Sequence, residues 1–192
     1  MKLVFATANP DKVIEIQSIL PEFEIIPRPN DIPSIEESGN TYLENARIKA
    51  QTIMQATGFV SIADDSGIEL EALNGEPGVD SAYFAGPNAS YEENTNKVLR
   101  DLQDKANRNA TFRCVAYAAF PNDDDLIAEG SNHGSIADAP RGENGFGYDP
   151  IFIPNEGDGR TFGEMTKEEK FAISHRGRAF HELGRLLRER GL

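Results

Sequence analysis

The chain has 192 residues, 39% of them hydrophobic and 27% charged, with a net charge of −13 and a single cysteine. That length allows one domain with a sizeable core, the lone cysteine excludes an internal disulfide and a cysteine-rich zinc site, and no apolar run reaches the roughly 20 residues of a membrane span. The acidic balance repels nucleic-acid polymers, so a polyphosphate ligand here requires a local cluster of cations, a divalent metal, or both.

"MKLVFATANP" is too short in its apolar part for a secretion signal and reads as a first strand, "LVFA" being buried and central. Asn9 then suits an N-cap and Pro10 the first helical position. Val13, Ile16, Ile19 and Leu20 recur at helical spacing up to Pro21. The proline-rich stretch 21–40 is mostly loop, with a short strand at residues 24–26. Thr41 and Glu44 form a capping box for a helix from Tyr42 to about Ala56, stopped at Gly58. "FVSIA" is a second buried strand that ends at Asp64-Asp65-Ser66-Gly67, with a short helix after it. Ser90 and Glu93 cap a helix to about Leu102. Residues 110–120 and 126–137 form a hairpin, and "RGENGFGYDPIFIP" leads into a short strand. Thr166 and Glu169 make a third capping box, and a last helix runs from about Ser174 to Arg190. Strands and helices interspersed in this way predict an α/β fold with a mixed sheet. Cys114, inside a strand-like run, reads as a small buried hydrophobe, and a reducing, cytoplasmic setting is the default.

Five stretches carry candidate chemistry. In "TANPDK", Thr7, Asn9, Lys12 and the free N–H groups of a new helix make an anion cradle, or else an ordinary strand–helix junction. In "IADDSG", Asp64 and Asp65 offer hard oxygens to Mg²⁺. One holds the metal while the other orients or deprotonates a water; the alternative is an acidic turn. Asn45 and Lys49 share one helix face, as a polar site or a solvated stripe, and Glu36 and Glu37 in the preceding loop are possible extra metal ligands. In "GENGFGYDPIF", the glycines admit a flat ligand, Phe146 or Tyr148 stacks on it and Asp149 accepts from a ring N–H, unless the turn simply buries its aromatics. Finally, Lys170, His175 and Arg176 gather around a helix start. Positive charge in a first turn opposes the helix dipole, which implies a compensating anion or carbonyl, or merely a basic helix end. His133 and His181 lack such context and read as structural or solvated.

Taken together, "FATANPDK", "ENARIKA", "IADDSGIELEALNGEPGVDSAYFAG", "GENGFGYDPIF" and "SHRGRAF" closely resemble the inosine triphosphate pyrophosphatase family over residues 3 to about 187. The resemblance implies an α/β fold with a long central mixed β-sheet, flanking helices and two lobes around an active-site cleft. It implies a single catalytic domain over residues 1–192, usually in a homodimer. It further implies Mg²⁺-dependent hydrolysis of ITP, dITP and XTP to the monophosphate and pyrophosphate. Carried onto matching positions, Thr7, Asn9 and Lys12 contact the triphosphate, and Asp65 is general base and metal ligand with Asp64 beside it. Ser66 contacts substrate, and Phe146, Gly147, Tyr148 and Asp149 line the base pocket. Lys170, His175 and Arg176 close over the nucleotide, with Lys12, Lys49, Lys170 and Arg176 offsetting its charge. Glu36 or Glu37 joins the metal. His175 or Arg176 is expected to donate to the 6-oxo group of the purine. The first motif departs from the family's usual T-G-N, with Ala8 at the glycine position. Two readings compete: a phosphatase releasing orthophosphate, against which "ADDSG" lacks a D-x-D spacing, and a non-catalytic nucleotide sensor, which has no use for a water-activating carboxylate.

Overall fold

The computed structural model describes residues 1–7 and 9–192, without the side chain of Asp11, so the expectation about Ala8 lies outside the described residues. In chain order the elements are β1 (Lys2–Phe5), α1 (Pro10–Ile19), β2 (Glu24–Pro27), α2 (Tyr42–Thr57), β3 (Ser61–Leu70), α3 (Tyr91–Asp101), β4 (Asn109–Ala119), β5 (Leu126–Ile136), β6 (Phe152–Pro154), α4 (Lys167–Ile173) and α5 (His175–Glu189). The six strands form one sheet in the order β2-β1-β3-β4-β5-β6. β1 pairs in parallel with β2 and β3, and β5 pairs antiparallel with β6, so the sheet is mixed as expected. Among the described residues no helix is long and apolar enough to cross a membrane.

The helix signals hold. Asn9 Oδ1 accepts from the Lys12 N–H at 3.5 Å at the start of α1. Gly58 closes α2 at φ 72°. The boxes at Ser90/Glu93 and Thr166/Glu169 are reciprocal. At α2 only half of the box forms: Thr41 accepts from the Glu44 N–H, while the Glu44 carboxylate takes the N–H of Asn40 instead.

One expectation fails. β3 does not end at the acid pair but continues through it to Leu70. Asp, Ser and Gly are turn formers, yet here the carboxylates find buried cationic partners, and the extended backbone persists.

Contacts divide the chain into two units. The first comprises Met1–Asp65, Cys114–Gly130 and Arg176–Leu192; the second comprises Ser66–Arg113 and Ser131–His175. In the first, alternation along the strands separates two faces. Leu3, Phe5, Ile62, Cys114, Ala116 and Ala118 pack with Ile16 and Ile19 of α1, with Leu20 just after it, and with Ala179, Phe180, Leu183 and Leu187 of α5. Ala63, Val115, Tyr117 and Ala119 pack instead with Ala46 and Ala50 of α2. Gly184 lets α5 lie close to Leu20, just past the end of α1, since a Cβ there would stand 2.5 Å from the Leu20 side chain. The second unit has its own core of Ile68, Leu70, Val98, Leu102, Phe112, Ile136, Ile151, Phe152 and Phe162.

Candidate active site

The alternation that sorts the first core continues into Asp64 and Asp65. Asp64 follows Ile62 onto the face of α1 and α5. Both of its oxygens accept from Lys12 Nζ, at 3.0 and 3.1 Å, and Oδ2 also accepts from Arg176 Nε at 3.1 Å. Arg176 Nη1 reaches the Glu15 carboxylate at 3.3 Å. Glu15, Asp64 and Arg176 are all buried, and Lys12 is half-buried. Burial would push the Asp64 carboxyl up, but Lys12 and Arg176 outweigh it and hold the group far below the usual carboxylate range. Arg176 is displaced the opposite way: Asp64 and Glu15 overcome its desolvation and hold the guanidinium charged.

Asp65 follows Ala63 onto the face of α2. Its oxygens accept from Asn45 Nδ2 at 3.2 Å and Lys49 Nζ at 3.1 Å. Asn45 and Lys49 lie four residues apart, one turn, and so share a face. Lys49 also pairs with Glu37 at 2.9 Å. Burial raises the Asp65 carboxyl, the negative charge of Glu37 adds to that, and Lys49 and Asn45 pull back only in part, leaving it at about 6. Burial would lower Lys49, but Asp65, Asp64 and Glu37 together outweigh it and hold the ammonium above its ordinary value.

Lys12, Glu37, Lys49 and Asp64 border a cavity of about 170 Å³ that Ala6, Thr7, Arg28, Ser34 and Ile35 also line. Thr7 Oγ1 accepts from the Asn9 N–H at 3.1 Å, which shapes the turn into α1. Both loop acids are exposed, and Glu37 is the one that joins the group, through Lys49. Among the described residues no three His, Cys, Asp or Glu side chains converge closely enough to cage a metal. The donor set still fits Mg²⁺, which keeps several waters and takes one or two carboxylates plus phosphate oxygens. Glu37 and Asp65 flank one ammonium, and Glu37 raises the carboxyl of Asp65. A hard dication relieves that repulsion.

In the second unit, Phe146, Gly147, Asp149 and Lys170 gather on their own. Asp149 is buried and accepts from Lys170 Nζ at 2.6 Å and from the Phe146 N–H at 2.8 Å. Gly145 permits this clamp, because its φ is 76° and a Cβ there would fall 2.0 Å from Asp149 Oδ2. Lys170 Nζ also stands 4.9 Å from the centre of the Phe146 ring. Thr95 Oγ1 donates to the Gly147 carbonyl at 3.3 Å. Ser66, on β3 past the acid pair, is half-buried.

Three of the expected site residues are placed differently from the simplest reading. Tyr148 does not present its ring to a ligand: it is 5% exposed, packs in the core of the second unit and donates its hydroxyl to the Ser81 carbonyl at 2.6 Å, which leaves Phe146 as the accessible ring. His175 is 3% exposed and stacks one face of its ring on Phe112 at 4.5 Å, so it stands within the core of the second unit. Arg176 stands at the head of the buried stripe of α5, where its guanidinium serves Asp64 and Glu15. The compensating anion expected in that first turn is thus supplied by the protein itself. Sequence reading missed Glu15 and Arg28. Glu15 was detectable: it shares the face of α1 with Lys12 and Ile19, three and four residues away. Arg28 follows β2 in a proline-rich loop and has no such periodic signal.

The sequence profile of the Ham1 family matches residues 3–186. A relative from Coxiella burnetii named dITP/XTP pyrophosphatase is 45% identical over 98% of both chains. The solved structure of the Staphylococcus aureus Ham1 protein superimposes with a TM-score of 0.90 at 38% identity, over 99% of this chain and all of that one. A Coxiella burnetii HAM1 structure gives the same TM-score at 44% identity, over 98% and 99% of the two chains.

Proposed function

The chain belongs to the Ham1 family, and from that premise we propose that it hydrolyses non-standard purine nucleoside triphosphates (dITP, XTP and ITP) to the monophosphate and pyrophosphate, removing them from the nucleotide pool. The observation that carries the chemistry is Asp65, a buried carboxylate held near neutral range between Asn45 and Lys49. A general base works best when its pKa lies near the working pH. We assign to Asp65 the removal of a proton from the water that attacks the α-phosphorus. Asn45 fixes one carboxylate oxygen and Lys49 the other, so the proton arrives at a defined lone pair.

Lys12, Thr7 and Asn9 with the N-terminus of α1 are assigned to the phosphates. To bind phosphate, Lys12 must exchange its carboxylate partner, and Arg176 then keeps Asp64 neutralised from the other side. Mg²⁺, held by Asp65 and Glu37 with Asp64 close by, would supply Lewis-acid charge stabilisation and orient the phosphate oxygens. In the second unit we assign Phe146 to stacking on the base and Gly147 to its close approach. The Asp149–Lys170 clamp shapes that loop, and Ser66 is assigned to the substrate. A 6-oxo acceptor on the purine is the feature that admits hypoxanthine and xanthine; a 6-amino group would leave a buried donor unpaired. The same reading holds that residues 1–192 act as a single catalytic domain, in a homodimer, in the cytoplasm.

One panel tests this: ITP, dITP, XTP, GTP and ATP, with and without Mg²⁺, scored for pyrophosphate against orthophosphate. Pyrophosphate from the first three nucleotides with Mg²⁺ is the expected result. Orthophosphate alone favours the phosphatase reading, and binding without turnover favours the sensor.

A further inference from the structure

We propose that Arg28 binds the pyrophosphate end of the triphosphate, an inference that rests on the activity proposed above and adds to it a residue outside the family motifs. Arg28 follows β2, is half-buried and lines the same 170 Å³ cavity as Thr7, Lys12 and Lys49. Its backbone N–H donates to the Thr7 carbonyl at 3.3 Å, which ties it to the turn between β1 and α1. One edge of the guanidinium is anchored: Nη1 donates to the carbonyls of Ile32 and Pro33. Nε and Nη2 have no protein partner among the described residues, and Arg28 has no carboxylate partner there either. Arg113, Arg160 and Arg185 each pair with a carboxylate.

The cavity itself indicates which part of the substrate it takes. At about 170 Å³ it is smaller than the roughly 300–1,000 Å³ of drug-sized ligand pockets, and no aromatic side chain among the described residues lines it. It therefore suits phosphate and not a purine. Asp65, assigned to the water at the α-phosphorus, is not among the lining residues. The phosphates beyond the α position are the ones left to fill the space. A guanidinium fixed at one edge presents its remaining N–H fork to two oxygens of one phosphate, a pairing that an ammonium does not reproduce.

The test uses inorganic pyrophosphate and dIMP as separate inhibitors of dITP hydrolysis with Mg²⁺. Arg28→Ala should weaken pyrophosphate inhibition about 10-fold or more, the range of one hydrogen bond to a charged group, and raise KM for dITP similarly, with dIMP inhibition shifted less than about twofold. Arg28→Lys can still reach the Ile32 and Pro33 carbonyls but lacks the fork, so it should shift the same quantities by less; it also serves if Arg28→Ala fails to fold. Equal weakening of both inhibitors, or of neither, overturns the inference, because a residue that only orders its loop does not distinguish the two products. If the wild-type protein releases no pyrophosphate from dITP, the proposed activity fails instead. Calorimetric titration of pyrophosphate into wild type and Arg28→Ala then decides the role of Arg28 alone: equal affinities overturn it.

Discussion

Asp64 and Asp65 are bonded neighbours on β3, and they experience opposite electrostatics. The α1/α5 face surrounds Asp64 with Lys12 and Arg176 and depresses its carboxyl, whereas the α2 face buries Asp65 with Lys49 and a nearby acid and raises it to about 6. The difference is a consequence of strand geometry: successive side chains point to opposite faces, so adjacent residues answer to different helices. One acid is a fixed charge that organises cations, and the other is left near neutrality where it can accept a proton.

The sharpest way to break this division is Asp65→Asn. Turnover of dITP should fall roughly 10²–10⁴-fold, the usual contribution of a general base, as read from pyrophosphate release; near-normal turnover would remove Asp65 from that role. Asp64→Asn should act on stability. It removes the carboxylate that Lys12 and Arg176 share, leaving Arg176 with Glu15 alone, and breaking a buried pair from one side costs about 3–5 kcal/mol. For a chain of this length that is about 6–20 °C in Tm, and a melting curve matching wild type would mean that the network does not hold the fold. Glu15→Gln is a milder form of the same break. Glu15 Oε1 has no hydrogen-bond partner among the described residues, so the Arg176 contact is the one weakened. A loss of about 1.5–3 kcal/mol in denaturant titration is expected.

The effect on Asp65 has the opposite sign. Its folded pKa of about 6 lies above the unfolded value near 3.9, so the folded state holds the extra proton between roughly pH 4 and 6. The stability that proton contributes is lost as pH rises through that window. Asp65→Asn should therefore flatten the slope and raise stability at pH 8 by about 1–2 kcal/mol even as it abolishes activity. Asp64, displaced downward, keeps its contribution throughout that window and loses it only in stronger acid. A variant that melts lower than wild type at pH 8 would contradict the assigned strain at Asp65. The smallest effect belongs away from β3: Phe146→Ala should raise KM several-fold, for about 1 kcal/mol of lost aromatic contact, and an unchanged KM would exclude Phe146 from the base site.

Much of this was legible in the sequence. The helix starts at Asn9, Ser90 and Thr166 are local chemistry, fixed within four residues, and the structure repeats them. The end of β3 was misread for a physical reason: Asp-Asp-Ser-Gly is turn-like in isolation, and what keeps it extended arrives from Lys12, Lys49 and Arg176, far away in sequence. The same distance hid the occupation of Arg176 by Glu15. Phe146 and Tyr148, two residues apart, were interchangeable on paper; only the Ser81 carbonyl and the core around Tyr148 separate an inward ring from an accessible one. Arg28 carried no pattern, because a loop anchored by its own carbonyls leaves no period to detect.

Gly184 gives the first unit a long reach. It lies eight residues along α5 from Arg176, about 12 Å down the helix axis, and its missing side chain sets how closely α5 lies against Leu20. The helix that carries the guanidinium against Asp64 is therefore also the helix whose packing leaves no slack at one interior position, where a single added methyl group would have to be absorbed by Leu20.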